Sequence, residues 1–223
     1  MIDYEGIQIS WTGHDGYRIV GNDDNNRRKI IYIDPFQLSG AHKNKKDADL
    51  VLISHNHFDH LSIDDLKNVV GKETAIVAAQ ECIEQLRQLE VREPRGVRPG
   101  DKLKISDVPL EIISAYNTNK QFHPKAEGKV GFIFSISGRR IYHTGDTDVI
   151  PEMKSLSPDI AFVPVSGKYV MTADEAAQAV NEFIRPKKLV IPMHYGAIVG
   201  SEKDAENFGK LVTICETKML KKE

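Results

Sequence analysis

Four potential metal ligands follow one another within six residues of the chain. His55, His57, Asp59 and His60 come directly after the apolar run 50–53, which we predict to be a short strand buried on both faces. Imidazole and carboxylate suit zinc and its first-row neighbours. The two histidines at positions 55 and 57 can converge on one ion, whereas the other two ligands point elsewhere and suit a second ion. The alternative interpretation is a polar surface loop that happens to be rich in histidine.

The order of the motifs around this run resembles the metallo-β-lactamase fold superfamily. The sequence His-x-His-x-Asp-His after Leu-Ile-Ser is similar to its signature, and three further motifs fall in the matching order. They contain Asp34 at the end of Ile-Tyr-Ile, Asp146 in Gly-Asp-Thr, and His194 in Pro-Met-His. The resemblance runs from about residue 7 to about residue 200. It implies an α/β fold, a four-layer αββα sandwich, and we expect a single domain over residues 1–223.

The resemblance also implies roles for these three residues. Asp146 is expected to bridge two ions, with Gly145 allowing the sharp turn that brings the carboxylate inward, and His194 is the last histidine ligand. Asp34 is expected to hold a ligating histidine from behind, as carboxylates often do. Its alternative role is only to end a strand before Pro35.

The third histidine of the first metal site is missing from its usual position in the superfamily pattern. Asn117 stands at about that place, and amide groups are poor zinc ligands beside imidazole. His123 follows six residues later. Either the loop folds back so that His123 becomes the ligand, or the first site keeps only His55, His57 and the shared Asp146. A third interpretation gives His123 no role.

Three more residues are candidates for contact with ligands or substrate. His14 lies in a predicted turn that the resemblance puts near the metal pocket, and its alternative role is a bond to local backbone. Lys168 could attract an anionic substrate group or be a solvated loop residue. Tyr195 could hydrogen-bond substrate or fill the rim of the pocket.

Two adjacent divalent ions would explain this set of residues. Zinc is expected, and manganese or iron suit the same ligands. A water shared by the ions would lose its proton near neutral pH, since a zinc-bound water has a pKa of about 7 against ~15.7 in bulk. The resulting hydroxide would attack a small ester, lactone or phosphodiester, with Asp59 also able to orient it or move its proton. The alternative function is a non-catalytic domain that binds metal or ligand through a degraded first site.

A finer resemblance links the chain to the UlaG-like branch, the relatives of ascorbate-6-phosphate lactonase. It rests on the segment 11–14 (Trp-Thr-Gly-His) and on the segment from 165–167 (Val-Ser-Gly) to 171–172 (Met-Thr). This branch implies a small and anionic substrate, such as a sugar-phosphate lactone, and some of its members assemble into homo-oligomers.

Charge and apolar content bound the remaining possibilities. With 30 basic against 32 acidic residues the net charge is −2, which gives no pull towards nucleic acid. No segment reads as a signal peptide or reaches the ~20 apolar residues of a membrane span. We therefore expect a cytoplasmic protein with no membrane partner.

Periodic patterns predict the elements that carry these residues. The predicted strands are 7–11, 17–20, 30–33, 50–53, 75–78, 103–105, 110–114, 131–136, 140–143, 160–165 and 189–193. Helices are predicted at 82–89, at 173–184 with a capping box between Thr172 and Glu175, and at 203–212, with a further helix beginning after Ser62.

Overall fold

The computed structural model describes residues 1–92 and 94–223, and over these residues the strands form two seven-stranded mixed sheets. The first sheet contains, in spatial order, β1 (Ile2–Tyr4), β2 (Ile7–Gly13), β3 (Gly16–Asn22), β4 (Arg28–Ile33), β5 (Leu50–Ile53), β6 (Ala75–Ala79) and β7 (Arg95–Val97). The second contains β8 (Lys102–Ile105), β9 (Val108–Ser114), β10 (Val130–Ile136), β11 (Arg139–His143), β12 (Ile160–Pro164), β13 (Leu189–Met193) and β14 (Glu216–Thr217).

Both sheets repeat one pattern along the chain. In the first sheet β1 to β4 pair antiparallel and β4 to β7 pair parallel. In the second sheet β8 to β11 pair antiparallel and β11 to β14 pair parallel. The carboxyl ends of neighbouring parallel strands lie at one edge of a sheet. The loops that follow β5, β11 and β13 begin at such edges, so their side chains can meet at one site.

The two sheets pack face to face around buried apolar side chains. Tyr17 of β3 and Phe162 of β12 are fully buried, and their ring centroids lie 4.1 Å apart. The Tyr17 hydroxyl donates to the carbonyl oxygen of Pro192 in β13 over 3.4 Å. Every residue of β5, β12 and β13 is buried, as their continuous apolar sequences predict.

Four α-helices accompany the sheets in the described part of the chain: α1 (Ile63–Val69), α2 (Ile83–Leu86), α3 (Ala173–Gln178) and α4 (Glu202–Leu211). Helix α3 packs against β12 and α4, and α4 also packs against β13. Helix α1 buries Leu66 and Val69. The predicted α/β sandwich is therefore confirmed. None of the helices in the described ranges is long and apolar enough to cross a membrane.

The helix boundaries differ from the sequence prediction at two places. The helix predicted at 173–184 does begin with the capping box between Thr172 and Glu175, but it is α-helical only to Gln178 and continues as a π-helix. The helix predicted at 82–89 ends at Leu86 and follows a 3₁₀ turn.

The strands β1, β7 and β14 were not predicted, because two or three residues are too short to display an alternating pattern.

Candidate metal centre

His55, His57 and His123 form what we call the histidine group. One nitrogen from each ring lies within 4.8 Å of the others, and His123 Nε2 is 3.1 Å from His57 Nδ1. The first two residues follow the end of β5, while the third comes from a loop of the other sheet. The structure therefore brings His123 to the position where the sequence left a ligand uncertain.

Asn117 holds the loop that delivers His123. Its side-chain amide donates to the carbonyl oxygens of Phe122 (2.8 Å) and Tyr169 (2.7 Å). Its backbone N–H donates to the carbonyl oxygen of His123 over 2.8 Å. These bonds close the loop, and His123 takes a left-handed φ of 59° within it. Asn117 thus stands outside the ligand groups and fixes the histidine that stands in them.

His60, His194, Asp59 and His14 form what we call the mixed group. Their ligand atoms also lie within 4.8 Å of one another, and all four residues are buried. His14 Nε2 lies 3.0 Å from Asp59 Oδ2, so its ring points into the site rather than bonding only to local backbone. The structure thus brings together the three residues predicted for the second ion and adds His14 beside them.

Asp15 is a buried carboxylate at this site that the sequence analysis missed. Its Oδ2 lies 3.3 Å from His60 Nε2 and 3.9 Å from His194 Nε2. Its ligand atom forms a second compact group with those of His60, His194 and Asp146. His143 Nε2 lies 3.0 Å from the Asp15 carbonyl oxygen and holds the turn in place. In the sequence, an Asp between two strands and next to Gly looks like an ordinary turn residue.

Asp146 lies between the two groups. Its Oδ2 is 3.6 Å from His123 Nε2, 3.9 Å from His55 Nε2 and 3.2 Å from His194 Nε2. Gly145 before it has a φ of 62°, and a Cβ there would lie 2.7 Å from a backbone oxygen. Only glycine fits this turn without strain. The carboxylate is therefore within reach of both groups, as the predicted bridging role requires.

Oxygen atoms behind the ligands fix the orientation of three rings. Asp34 Oδ2 lies 2.9 Å from His60 Nδ1, and its Oδ1 accepts the backbone N–H of Ser54. The Ser54 hydroxyl lies 3.0 Å from His55 Nδ1, and the Ser166 hydroxyl lies 2.8 Å from His194 Nδ1. In each case the Nε2 atom is left to face the site. Asp34 occupies the supporting position expected of it, and the two serines were not predicted for this role.

The unpartnered atoms at the site are those that a metal ion would use. His55 Nε2, His60 Nε2, Asp146 Oδ1 and both carboxylate oxygens of Asp15 are buried and make no hydrogen bond within the protein. Buried polar atoms rarely stay unpaired. Imidazole nitrogens and carboxylate oxygens, converging within 4.8 Å, are the donors that zinc, manganese and iron accept. The residues present therefore fit a metal ion in each group.

The two groups differ in the pKa values of their histidines, except that burial lowers the pKa of His14 as it does in the histidine group. Burial lowers the pKa of His57 and His123, and it lowers the pKa of His55 well below the usual value, so these rings are neutral at pH 7. Burial opposes protonation of His60 and His194 too, but the carboxylate of Asp146 outweighs it. The pKa of His60 is raised well above its usual value, and that of His194 is raised to about 9.

The carboxylates of the centre are shifted in different directions. Burial raises the pKa of Asp15 well above its usual value. Burial also opposes ionisation of Asp146, but His194 and His60 hold its pKa well below the usual value. For Asp59, the hydrogen bond with His14 offsets burial and lowers the pKa to about 2. Asp59 and Asp146 are therefore ionised at neutral pH, whereas the uptake of a proton by Asp15 is favoured.

An open cavity of about 440 Å³ leads to both groups. His57, His123, Asp59, Asp146 and His194 contribute to its wall, so a molecule inside it could contact the ligands of either group. This volume lies in the usual range for sites that bind small molecules.

Two predicted substrate residues lie away from this cavity. Lys168 is exposed, with its ammonium group 5.1 Å above the ring of Tyr169, and it is not part of the cavity wall in the described structure. Tyr195 is buried and stacks on Trp11, with ring centroids 4.8 Å apart. Tyr195 therefore fills space behind the site and is not among the described residues that line the cavity.

Comparisons with known proteins agree with this architecture. Residues 8–194 match a family model described as a beta-lactamase superfamily domain. A UPF0173 metal-dependent hydrolase of Archaeoglobus fulgidus is 31% identical over 222 residues, which cover 92% of this chain and 90% of that protein. A relative of the same description from Staphylococcus aureus is 28% identical and covers 96% of this chain and 97% of its own length.

Solved structures give the same result for the fold. A candidate metal-dependent hydrolase of Parabacteroides distasonis superposes with a TM-score of 0.77 at 30% identity, covering 96% of this chain and 94% of its own. A diiron β-hydroxylase of Streptomyces venezuelae shares the fold alone, with a TM-score of 0.72 at 14% identity over 97% of this chain and 53% of its own. This chain is a metal-dependent hydrolase that belongs to the UPF0173 family of the metallo-β-lactamase fold superfamily.

Proposed function

We propose that the chain hydrolyses a small ester, lactone or phosphodiester with two divalent metal ions, one in each ligand group. The observation that carries this proposal is the position of Asp146. Its carboxylate reaches within 4 Å of nitrogens in both groups, and a carboxylate between two ions is the usual arrangement of two-metal hydrolytic sites. The histidine group would hold the first ion, and the mixed group would hold the second.

Ions bound here would supply Lewis acidity, polarising the substrate and lowering the pKa of water. The protein's own contribution is to place groups around the reacting atoms. Asp59 faces the cavity as an ionised carboxylate, so it can accept a proton from an attacking water. Its bond to His14 keeps the carboxylate in one orientation.

The mixed group offers more oxygen ligands than the histidine group. Asp15 adds a carboxylate whose oxygens have no other partner, and we include it among the ligands of the second ion. Three imidazoles in the histidine group favour zinc, whereas carboxylate oxygens suit harder ions such as manganese or ferrous iron. We therefore propose zinc at the first position and either zinc or a harder ion at the second.

The test is metal content and hydrolysis measured on the same preparation. Protein purified without added metal, and then dialysed against zinc or manganese, should contain about two ions per chain by plasma mass spectrometry. It should cleave members of a panel of esters, lactones and phosphodiesters, and chelation should stop cleavage. One ion or none would refute the two-metal proposal. Two ions without any cleavage would favour a binding domain.

A matched pair of variants links the metal to the reaction. His57→Ala should lose the ion of the histidine group and hydrolysis together, because it removes one of three ligands from that group. His42→Ala removes another largely buried imidazole, outside both groups, and should keep two ions and full activity. Hydrolysis that persists in His57→Ala after its metal is lost would refute the mechanism.

A non-catalytic binding domain was the alternative function, and it depended on a degraded first site. His123 stands beside His55 and His57, and this supports a complete first site over that alternative. Kinship with the UlaG-like branch stays a prediction, since the relatives reported above carry the UPF0173 description.

A further inference from the structure

The mouth of the cavity is apolar, although the centre behind it is polar. Phe58, Phe122, Tyr169 and Ile198 all line it. Phe58 is 68% exposed, Phe122 48% and Ile198 40%. In residues 1–92 and 94–223, Phe58 and Phe122 are the only aromatic side chains classed as exposed. Scattered exposed apolar residues need no explanation, but their convergence on one opening indicates a binding surface.

The backbone that carries the metal ligands also fixes these side chains in position. Phe58 lies between His57 and Asp59 in the sequence, and Phe122 directly precedes His123. The ring of Phe122 packs edge-on against Tyr169, with centroids 4.9 Å apart. The apolar surface thus begins one residue from the ligand groups, so a molecule held at the centre extends across it.

Among the described residues, the wall of this opening presents no Lys or Arg side chain to an anionic substituent, and Lys168, outside the wall, places its ammonium group over the ring of Tyr169. The nearby Lys129 is 3% exposed and is paired at 3.2 Å with both Glu81 and Glu127. Lys120 is likewise paired, with Asp148 and Glu175. An anionic group buried against the wall of the cavity would therefore lose its hydration without gaining a partner there.

We propose that the substrate is a neutral ester or lactone with an aliphatic or aromatic arm, and that this arm lies on Phe58 and Phe122. The inference rests on the proposed hydrolytic function and narrows it. It replaces the anionic sugar-phosphate class suggested by the resemblance to the lactonase branch with an uncharged and apolar one. Burial of the arm supplies affinity, while the scissile bond lies against the ligand groups.

Hydroxamic acids bind metal ions through two oxygens and need no turnover, so they measure the arm separately. Calorimetry on the zinc-loaded protein would compare acetohydroxamic, butanohydroxamic, hexanohydroxamic and octanohydroxamic acids with suberic monohydroxamic acid, which ends in a carboxylate. Affinity should rise about two- to four-fold per added methylene, the range expected for burial of a CH₂ group. The carboxylate at the tip should cancel most of that gain. Equal affinity along the series, or tighter binding of the carboxylate form, would overturn the inference.

Variants assign the effect to the mouth of the cavity. Phe58→Ala and Phe122→Ala should flatten the dependence on chain length while leaving the affinity for acetohydroxamic acid unchanged. Leu211→Ala removes an exposed apolar side chain on α4 and should leave the dependence intact. Ile198→Lys, four residues from the nearest ligand, should reverse the preference towards the carboxylate form. A chain-length dependence that survives both Phe variants would refute the assignment.

The same data separate failure of this inference from failure of the proposed function. Metal content and the affinity for acetohydroxamic acid report only on the metal centre. The slope along the series and the penalty for the carboxylate report only on the arm. A protein with two ions that binds acetohydroxamic acid but has no slope keeps the proposed function and loses the apolar substrate class.

Discussion

The histidine group and the mixed group lie side by side and share Asp146, yet the pKa values of His60 and His194 in the mixed group are shifted in the opposite direction to those of the histidine group. In the histidine group burial dominates, so the pKa of each ring is lowered. In the mixed group the side chains of Asp146 and Asp15 face His60 and His194. The pKa values of these two histidines are raised instead. Because nearby carboxylates can outweigh desolvation, the first group is ready for a metal at neutral pH, whereas the second must release protons.

Asp146→Asn should have the largest effect, because it removes the residue common to both groups. We expect both ions to bind more weakly and hydrolysis to fall roughly 10³-fold or more, the size expected when several kcal/mol of charge stabilisation are lost. Metal analysis and rates on one preparation would check this. Asp148→Asn is the control, since that carboxylate binds Lys120 and the Thr118 backbone and should keep both ions. Loss of only one group's ion in Asp146→Asn would mean that the carboxylate serves that group alone.

Asp15→Asn tests whether the mixed group has a further ligand. We expect the second ion to bind about 10- to 100-fold more weakly, with the first ion unaffected, as measured by competition with a chelator. Burial raises the pKa of Asp15, so at neutral pH this residue costs the metal-free protein stability. The neutral amide should therefore raise the melting temperature of the metal-free protein.

A contrasting control is Asp23→Asn. This carboxylate is also buried, but its oxygens accept bonds from Asn25 and Arg27. Its replacement should lower the melting temperature and leave metal binding alone. If both variants lower the melting temperature and keep both ions, Asp15 is structural and not a ligand.

The candidate ligands differ in how far the sequence could predict them. The candidate ligands after β5 are close in sequence and follow a buried strand, so their types and spacing were sufficient to predict that they gather at one site. Asp146 and His194 also follow buried strands, and the resemblance supplied their order. His123 could only be left as an alternative, because its position depends on bonds from Asn117 to the distant Tyr169.

Asp15 and the aromatic residues at the mouth of the cavity show why the rest of the site could not be predicted from the sequence. Asp15 lies 45 positions before His60 in the sequence, and only the packing of the β2–β3 turn against that loop makes them neighbours. Phe58 and Phe122 belong to loops of different sheets and meet at one cavity. Contacts between residues of distant loops leave no periodic pattern in the sequence, so the patterns that predict strands do not predict these contacts.

The pH dependence of metal binding should separate the two groups. In the metal-free protein the pKa of His194 is raised to about 9, so protonated His194 stabilises the fold, and does so fully below pH 6.5, near the pKa of this residue in the unfolded chain. This stabilisation is lost as the pH rises through 9. A metal at the mixed group must displace that proton. Affinity there should increase by up to about tenfold per pH unit between 7 and 9 for each proton released.

The histidine group should behave differently, because its rings are already neutral at pH 7. Its affinity should be nearly constant from pH 7 to 9. Zinc titration in chelator buffers would measure each group separately. In His194→Ala only the histidine group stays intact, and in His57→Ala only the mixed group stays intact. Parallel slopes in the two variants would contradict the electrostatic contrast.

Asn117→Ala should have the smallest effect and acts on the histidine group alone. The lost amide leaves the carbonyl oxygens of Phe122 and Tyr169 without their donor, at a cost of about 1–3 kcal/mol in stability. Because His123 then samples other positions, the first ion should bind several-fold more weakly, while the second keeps its affinity. Asn119→Ala, two residues along the same loop but exposed, should change neither quantity. If the two variants behave alike, His123 is held by its own packing, and the difference between the groups lies only in their ligands.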